Sequence, residues 1–166
     1  MEMINLGKIV STHGIKGEVK VISNFLYKDK AFKKGNKVHL TTSSDPFVIT
    51  SYRKHKQYDL LTFENITNIN EILSFIPCKI MIEKKDLSLD KNEYLDEELI
   101  GIDVFYLNKL IGKIDKIFYA SKTNKIIRVK GKKEILIPYN DHFIKKIDLI
   151  NKKIEVLLLE GMNDEN

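Results

Sequence analysis

The chain has 166 residues, 43% hydrophobic and 31% charged, with a formal net charge of +5 at pH 7. This balance excludes a disordered polymer, and no apolar run reaches the ~20 residues that a membrane-spanning helix needs. A single cysteine, Cys78, excludes an internal disulfide framework.

The length allows two domains of ~80 residues. Charge is divided unevenly. Residues 1–88 carry 14 Lys and Arg against 9 Asp and Glu, whereas residues 89–166 carry 14 of each. The first half is therefore the better match for a phosphate backbone. Only Arg53 and Arg128 are arginine, so the positive charge is almost all lysine, which attracts phosphate without reading bases. The opening Met-Glu-Met-Ile-Asn-Leu-Gly has no basic n-region or small-residue cleavage site, so a cytoplasmic protein is expected.

In chain order, strands are predicted at 4–11 and 15–22, joined by a corner containing His13, Gly14 and Gly17. Alternation of Ile15, Gly17, Val19 and Val21 with Lys16, Glu18 and Lys20 supports the second strand. The corner lacks phosphate-loop spacing, and no helix follows it. Further strands are expected at 37–42, 47–54 and 58–63. Ile69, Ile72, Leu73 and Ile76 fall on one helical face, with Asn68 as N-cap, Glu71 in the capping box and Pro77 as the stop. A strand follows at 78–83, with Cys78 as a buried thiol. Residues 84–96 are polar and aperiodic, the best linker. Strands at 100–106, 110–119, 125–130, 134–137 and 152–159 complete the pattern. Asn108-Lys109 has the length of a two-residue hairpin turn, and Gly131-Lys132-Lys133 makes another short one. So many short strands with little helix imply two small barrels or sandwiches.

Reactive groups do not converge. His13, His39, His55 and His142 show no metal-ligand spacing, and no nucleophile elbow or paired-cysteine motif occurs. No catalytic residue, cofactor or metal is expected. Asp90, Glu93, Asp96, Glu97, Glu98 and Asp103 form an acidic cluster that repels RNA and suits a basic protein. Tyr94, placed among carboxylates, is a candidate interface anchor. His13 is a candidate for partner or RNA contact.

The run Gly7-x-Ile9…His13-Gly14-x-x-Gly17-Glu18-x-x-Val21 resembles the N-terminal signature of the RimM family of bacterial ribosome maturation factors. The resemblance extends through the acidic junction ending in Glu98-Leu-Ile-Gly101. It continues through Gly112-x-Ile114, Ile137-Pro138 and Asp148 to Glu160-Gly161-Met162. It implies a mainly β protein of two small β-barrels. A translation-factor-like barrel over 1–86 and a linker at 87–95 precede a PRC-barrel over 96–166. It also implies a monomeric, non-enzymatic factor that binds the immature 30S subunit and assists assembly of its head and processing of 16S rRNA. The implied partner is a head ribosomal protein of the S-nineteen family. On this resemblance the partner-binding candidates are Glu93, Tyr94, Leu95, Asp96 and Glu98; Leu95 stands where the family commonly has a second tyrosine. His13, Lys16 and Lys20 are the rRNA-contact candidates. The alternative is a general RNA-binding β-barrel module without a specific protein partner.

Overall fold

A computed structural model describes residues 2–91, 93–121, 124–159 and 161–162. Glu160, in the closing motif, and the tail 163–166 lie outside the described residues. The chain divides into two compact units, Met1–Asn92 and Glu93–Asn166.

The first unit contains β1 (Met3–Thr12), β2 (Val19–Ile22), α1 (Lys28–Ala31), β3 (Lys37–Leu40), β4 (Phe47–His55), β5 (Tyr58–Phe63) and β6 (Cys78–Glu83). The strands form a closed barrel in the order β1-β2-β5-β4-β3-β6, with β6 also hydrogen-bonded to β1. Closure removes the unpaired edges that would otherwise template aggregation. Ile4, Leu6 and Ile9 of β1 all point inward. The spacing slips from two to three residues because register shifts occur at Asn5/Gly7 and Ile9/Ser11. Val19, Val21, Val38, Leu40, Ile49, Leu61, Ile80 and Ile82 fill the rest of the core. Each such side chain contributes ~1.5–3 kcal/mol on burial.

Three sequence expectations change here. The second strand begins at Val19, because Ile15 to Gly17 form a loop with no ladder partners. The predicted helix is two 3₁₀ turns, Ile69–Glu71 and Leu73–Phe75. Its cap is as read, with Asn68 Oδ1 accepting from the Asn70 N–H at 2.9 Å. Of the apolar face only Ile72 is buried, so there is too little core contact to hold a longer helix. Helix α1 was not foreseen, since four residues show no periodicity. Its C-terminal end is held by Asn36, whose side-chain amide donates to the Lys30 and Ala31 carbonyls at 2.8 and 3.0 Å.

The second unit contains α2 (Asp96–Leu99), β7 (Asp103–Tyr106), β8 (Lys109–Ser121), β9 (Asn124–Lys130), β10 (Glu134–Pro138), β11 (Ile144–Asp148) and β12 (Lys153–Val156). They form a six-stranded sheet in the order β10-β9-β8-β7-β12-β11, antiparallel except where β12 lies parallel to β7. Inward residues from β7, β8, β9, β10 and β12 meet in one cluster around Val104, Ile114, Ile127, Ile137 and Ile154. Ile144 and Ile147 of β11 pack against it, so the sheet wraps around its core. The β7–β8 turn is Leu107-Asn108, one residue earlier than expected. Both have positive φ, 51° and 63°, the geometry that continues strand twist through a two-residue hairpin. Strand β11 was missed because its bulge between Ile144 and Lys146 breaks the alternation.

Candidate functional site

In the first unit the site grows from the β1–β2 loop. The His13 N–H donates to the Glu18 carbonyl at 2.8 Å and closes the loop. Gly17 has φ +95°, and a Cβ there would lie 2.7 Å from the Ile66 methyl, so glycine is required. With the loop base pinned, Ile15 is 74% exposed and Lys16 is exposed beside it.

Glu18 turns back across the sheet to β4. Arg53 donates to it at two points, Nε to Oε2 at 3.0 Å and Nη2 to Oε1 at 2.8 Å. This bond holds the Glu18 carboxyl below the usual carboxylate range and raises the Arg53 guanidinium. The β4–β5 hairpin brings His55 against His13, with ring centroids 4.9 Å apart. Burial pushes the His55 imidazole down, and the nearby positive charge of His13, Lys56, Arg53 and Lys20 pushes it the same way. The Lys20 ammonium lies 5.0 Å from the centroid of the Tyr58 ring. His13, Lys16 and Lys20 therefore share one barrel corner with His55, Tyr58 and Lys56, which sequence reading did not connect to them. No local pattern could have made the connection, because it depends on strand order β2-β5-β4. Among these residues the one carboxylate, Glu18, is matched by Arg53. The corner is left positive and aromatic.

In the second unit the acidic junction is more internally engaged than its composition suggests. Leu95 is only 2% exposed. Its N–H donates to Glu98 Oε1 at 3.0 Å, so Glu98 reaches back to cap the first turn of α2. Asp96 Oδ1 pairs with the Lys125 ammonium at 2.5 Å, and the Tyr119 hydroxyl donates to Oδ2 at 3.3 Å. Lys125 is 4% exposed and also lies 4.3 Å over the Tyr139 ring. Tyr94 is half-buried and packs on the second core, and Glu93 is half-buried beside it. Glu97 is exposed. The partner-binding candidates Glu93, Tyr94, Leu95, Asp96 and Glu98 thus differ in what they present to solvent. Leu95 offers almost no area, and the Asp96 and Glu98 carboxylates hold α2 to its own domain. Sequence reading missed Lys125, although a signal existed: it alternates with Ile127 and Val129, in the inward register of β9.

The remaining reactive groups lie apart. Cys78 is buried in β6, and burial pushes its thiol up. His39 lies 3.6 Å from Glu83, and His142 meets the Phe143 ring edge-on. Both arginines are in two-point pairs, Arg53 with Glu18 and Arg128 with Asp115 at 2.9 and 3.0 Å. Among the described residues no helix is long and apolar enough to cross a membrane.

Comparison with known proteins gives a consistent result across the chain. Residues 4–87 match the RimM N-terminal domain, and residues 96–162 match the RimM PRC barrel domain. The ribosome maturation factor RimM of Bacillus pumilus is 39% identical over 171 residues, covering 99% of this chain and 98% of that protein. The Streptococcus mutans ribosome maturation factor RimM is 36% identical over 172 residues, covering 100% of both. A solved structure of a 16S ribosomal RNA processing protein RimM from Pseudomonas aeruginosa aligns with 93% of this chain and 96% of that one. Its TM-score is 0.46 at 24% identity. With both domains matched in order and its relatives covered end to end, the chain belongs to the RimM family of ribosome maturation factors.

Proposed function

We propose that this chain is a non-enzymatic, cytoplasmic and monomeric maturation factor for the small ribosomal subunit. It binds the immature 30S particle and assists assembly of the head and processing of 16S rRNA. In this reading residues 1–86 form the rRNA-facing barrel, 87–95 the linker and 96–166 the PRC-barrel that meets a head ribosomal protein of the S-nineteen family.

The observation that carries the rRNA part is the single barrel corner where His13, Lys16, Lys20, His55 and Tyr58 converge. Lysine ammonium groups bind phosphates as point charges and release counterions, and the tyrosine face can take a base. Both guanidiniums are already held by carboxylates, so the corner has no free fork for reading base edges. It grips a shape rather than a sequence.

The protein-facing part rests on Tyr94 with Glu93 and Glu97. Ribosomal proteins are strongly basic, and acidic side chains around an aromatic anchor complement them and steer encounter. The factor acts by holding protein and rRNA together while the head folds, and no bond is made or broken.

The test is calorimetric titration of the full chain with the S-nineteen ribosomal protein and, separately, with a 16S head fragment. Micromolar or tighter binding of the protein is expected, weakened about tenfold or more by Tyr94→Ala. Equal affinity in a folded Tyr94→Ala variant removes the anchor. The basic corner also favours the second reading, a general RNA-binding module. That reading predicts steeply salt-dependent binding to unrelated structured RNA and no binding of the ribosomal protein.

A further inference from the structure

The second domain holds a cleft far in sequence from the junction residues, between the β7–β8 hairpin and the β9–β10 turn. Its volume is about 260 Å³. Lys109, Lys132 and Lys133 line it together with the apolar Leu110, Ile111 and Ile135, and no carboxylate is among its lining residues. We propose that this cleft is a binding site for a phosphate ester, with the lysines on the phosphate and the apolar wall against the attached sugar or base. The proposal goes beyond the reading above, which places rRNA on the other domain, and does not depend on it.

Three observations support it. First, the cleft is built rigidly. A Cβ on Gly131 would lie 2.1 Å from the Ile111 carbonyl oxygen, and one on Gly112 would lie 2.6 Å from the Lys130 carbonyl oxygen. The two turns meet backbone to backbone, which fixes where the lysine-bearing turn stands relative to the hairpin.

Second, the Lys133 ammonium is withdrawn from water and has no hydrogen-bond partner among the described residues. An ammonium carries three donors, and removing it from water without an acceptor is costly. Buried Lys125 shows the ordinary solution, with Asp96 on one side and the Tyr139 ring on another. Lys133 has no such answer within its own domain. An anionic phosphate oxygen entering the cleft supplies it after a rotation of the flexible lysine stem. Lys109 and Lys132 then share the charge.

Third, the wall selects an ester over a bare anion. Leu110 is 53% exposed beside the lysines, an apolar surface that inorganic phosphate would leave uncovered. Phosphate bound by lysine rather than arginine is recognised as charge, with no fixed fork. The ester can come from an RNA strand or from a free nucleotide.

The experiment is amide NMR of the isotope-labelled full chain, titrated in turn with adenosine monophosphate, a short oligouridine and inorganic phosphate. Saturable shifts at Gly112, Gly131 and Lys132 are expected with an ester, stronger than with inorganic phosphate. Lys133→Met should weaken that binding tenfold or more. It should leave the unliganded Tm equal to or above wild type, because no native partner is lost. Saturation by oligouridine alone assigns the strand, and its salt slope should then fall by about 0.7 in Lys133→Met. Saturation by adenosine monophosphate assigns a free nucleotide. The proposal is overturned if these amides do not move. It is equally overturned if Lys133→Met lowers the Tm while the shifts persist, since Lys133 would then be structural only.

Discussion

Each domain buries a Lys–Asp pair beside tyrosine, but the two pairs are inverted. In the barrel the carboxylate is inside: Asp59 is 1% exposed, with Lys28 of α1 2.8 Å from one oxygen and the Tyr52 hydroxyl 2.8 Å from the other. Burial, then the bond to Asp59, raises the Tyr52 phenol. In the second domain the ammonium is inside: Lys125 is 4% exposed, and Asp96 approaches it from a position 39% exposed. In both cases the more exposed partner comes from a four-residue helix, α1 or α2. A helix too short to be stable alone is thereby held to its sheet by one charge. The buried partner decides which substitution does harm, because stranding a charge costs more than deleting the pair.

The largest effect should follow Lys28→Ala. It leaves Asp59 with only the Tyr52 hydroxyl, and the barrel should lose about 3 kcal/mol in denaturant unfolding. Asp96→Ala strands Lys125 under Tyr139 and should cost about 2 kcal/mol, less because water can enter where Asp96 is exposed. Lys125→Met, which replaces the buried cation with an apolar side chain of similar length, should lie within about 1 kcal/mol of wild type. If Asp96→Ala and Lys125→Met prove equally harmful, the inversion does not govern stability. The smallest effect concerns Glu18, whose ordinary pKa of 4.5 is lowered by Arg53. A depressed carboxyl stabilises the fold above its unfolded pKa and loses that contribution as pH falls through the folded value. Glu18→Gln should therefore reduce the Tm slightly at neutral pH, and the difference should vanish as the pH drops well below 4.5 in a thermal-melt series.

Strands with clear alternation were legible in the sequence: β6, β9 and β10 lie within a residue of where the pattern puts them. Where a bulge resets the alternation, as in β11, the pattern is lost although the pairing is not. At Ile15 and Lys16 the alternation is present but the strand is not. The loop closed from His13 to Glu18 keeps those residues off the ladder. The site was legible only in part. His13, Lys16 and Lys20 lie close in sequence, so composition reveals them. His55 and Tyr58 join them only through the order in which strands pair. At the junction, charge alone could not separate Glu97, which faces water, from Asp96 and Glu98, which hold their own helix.

The two arginine–carboxylate pairs have a chemical consequence. Glu18–Arg53 ties the β1–β2 loop to β4 and Asp115–Arg128 braces the neighbouring strands β8 and β9, so the outward positive charge of the molecule is carried by primary amines. Acylation reaches amines and spares guanidinium. It would therefore lower the grip on phosphate one lysine at a time while both braces stayed in place.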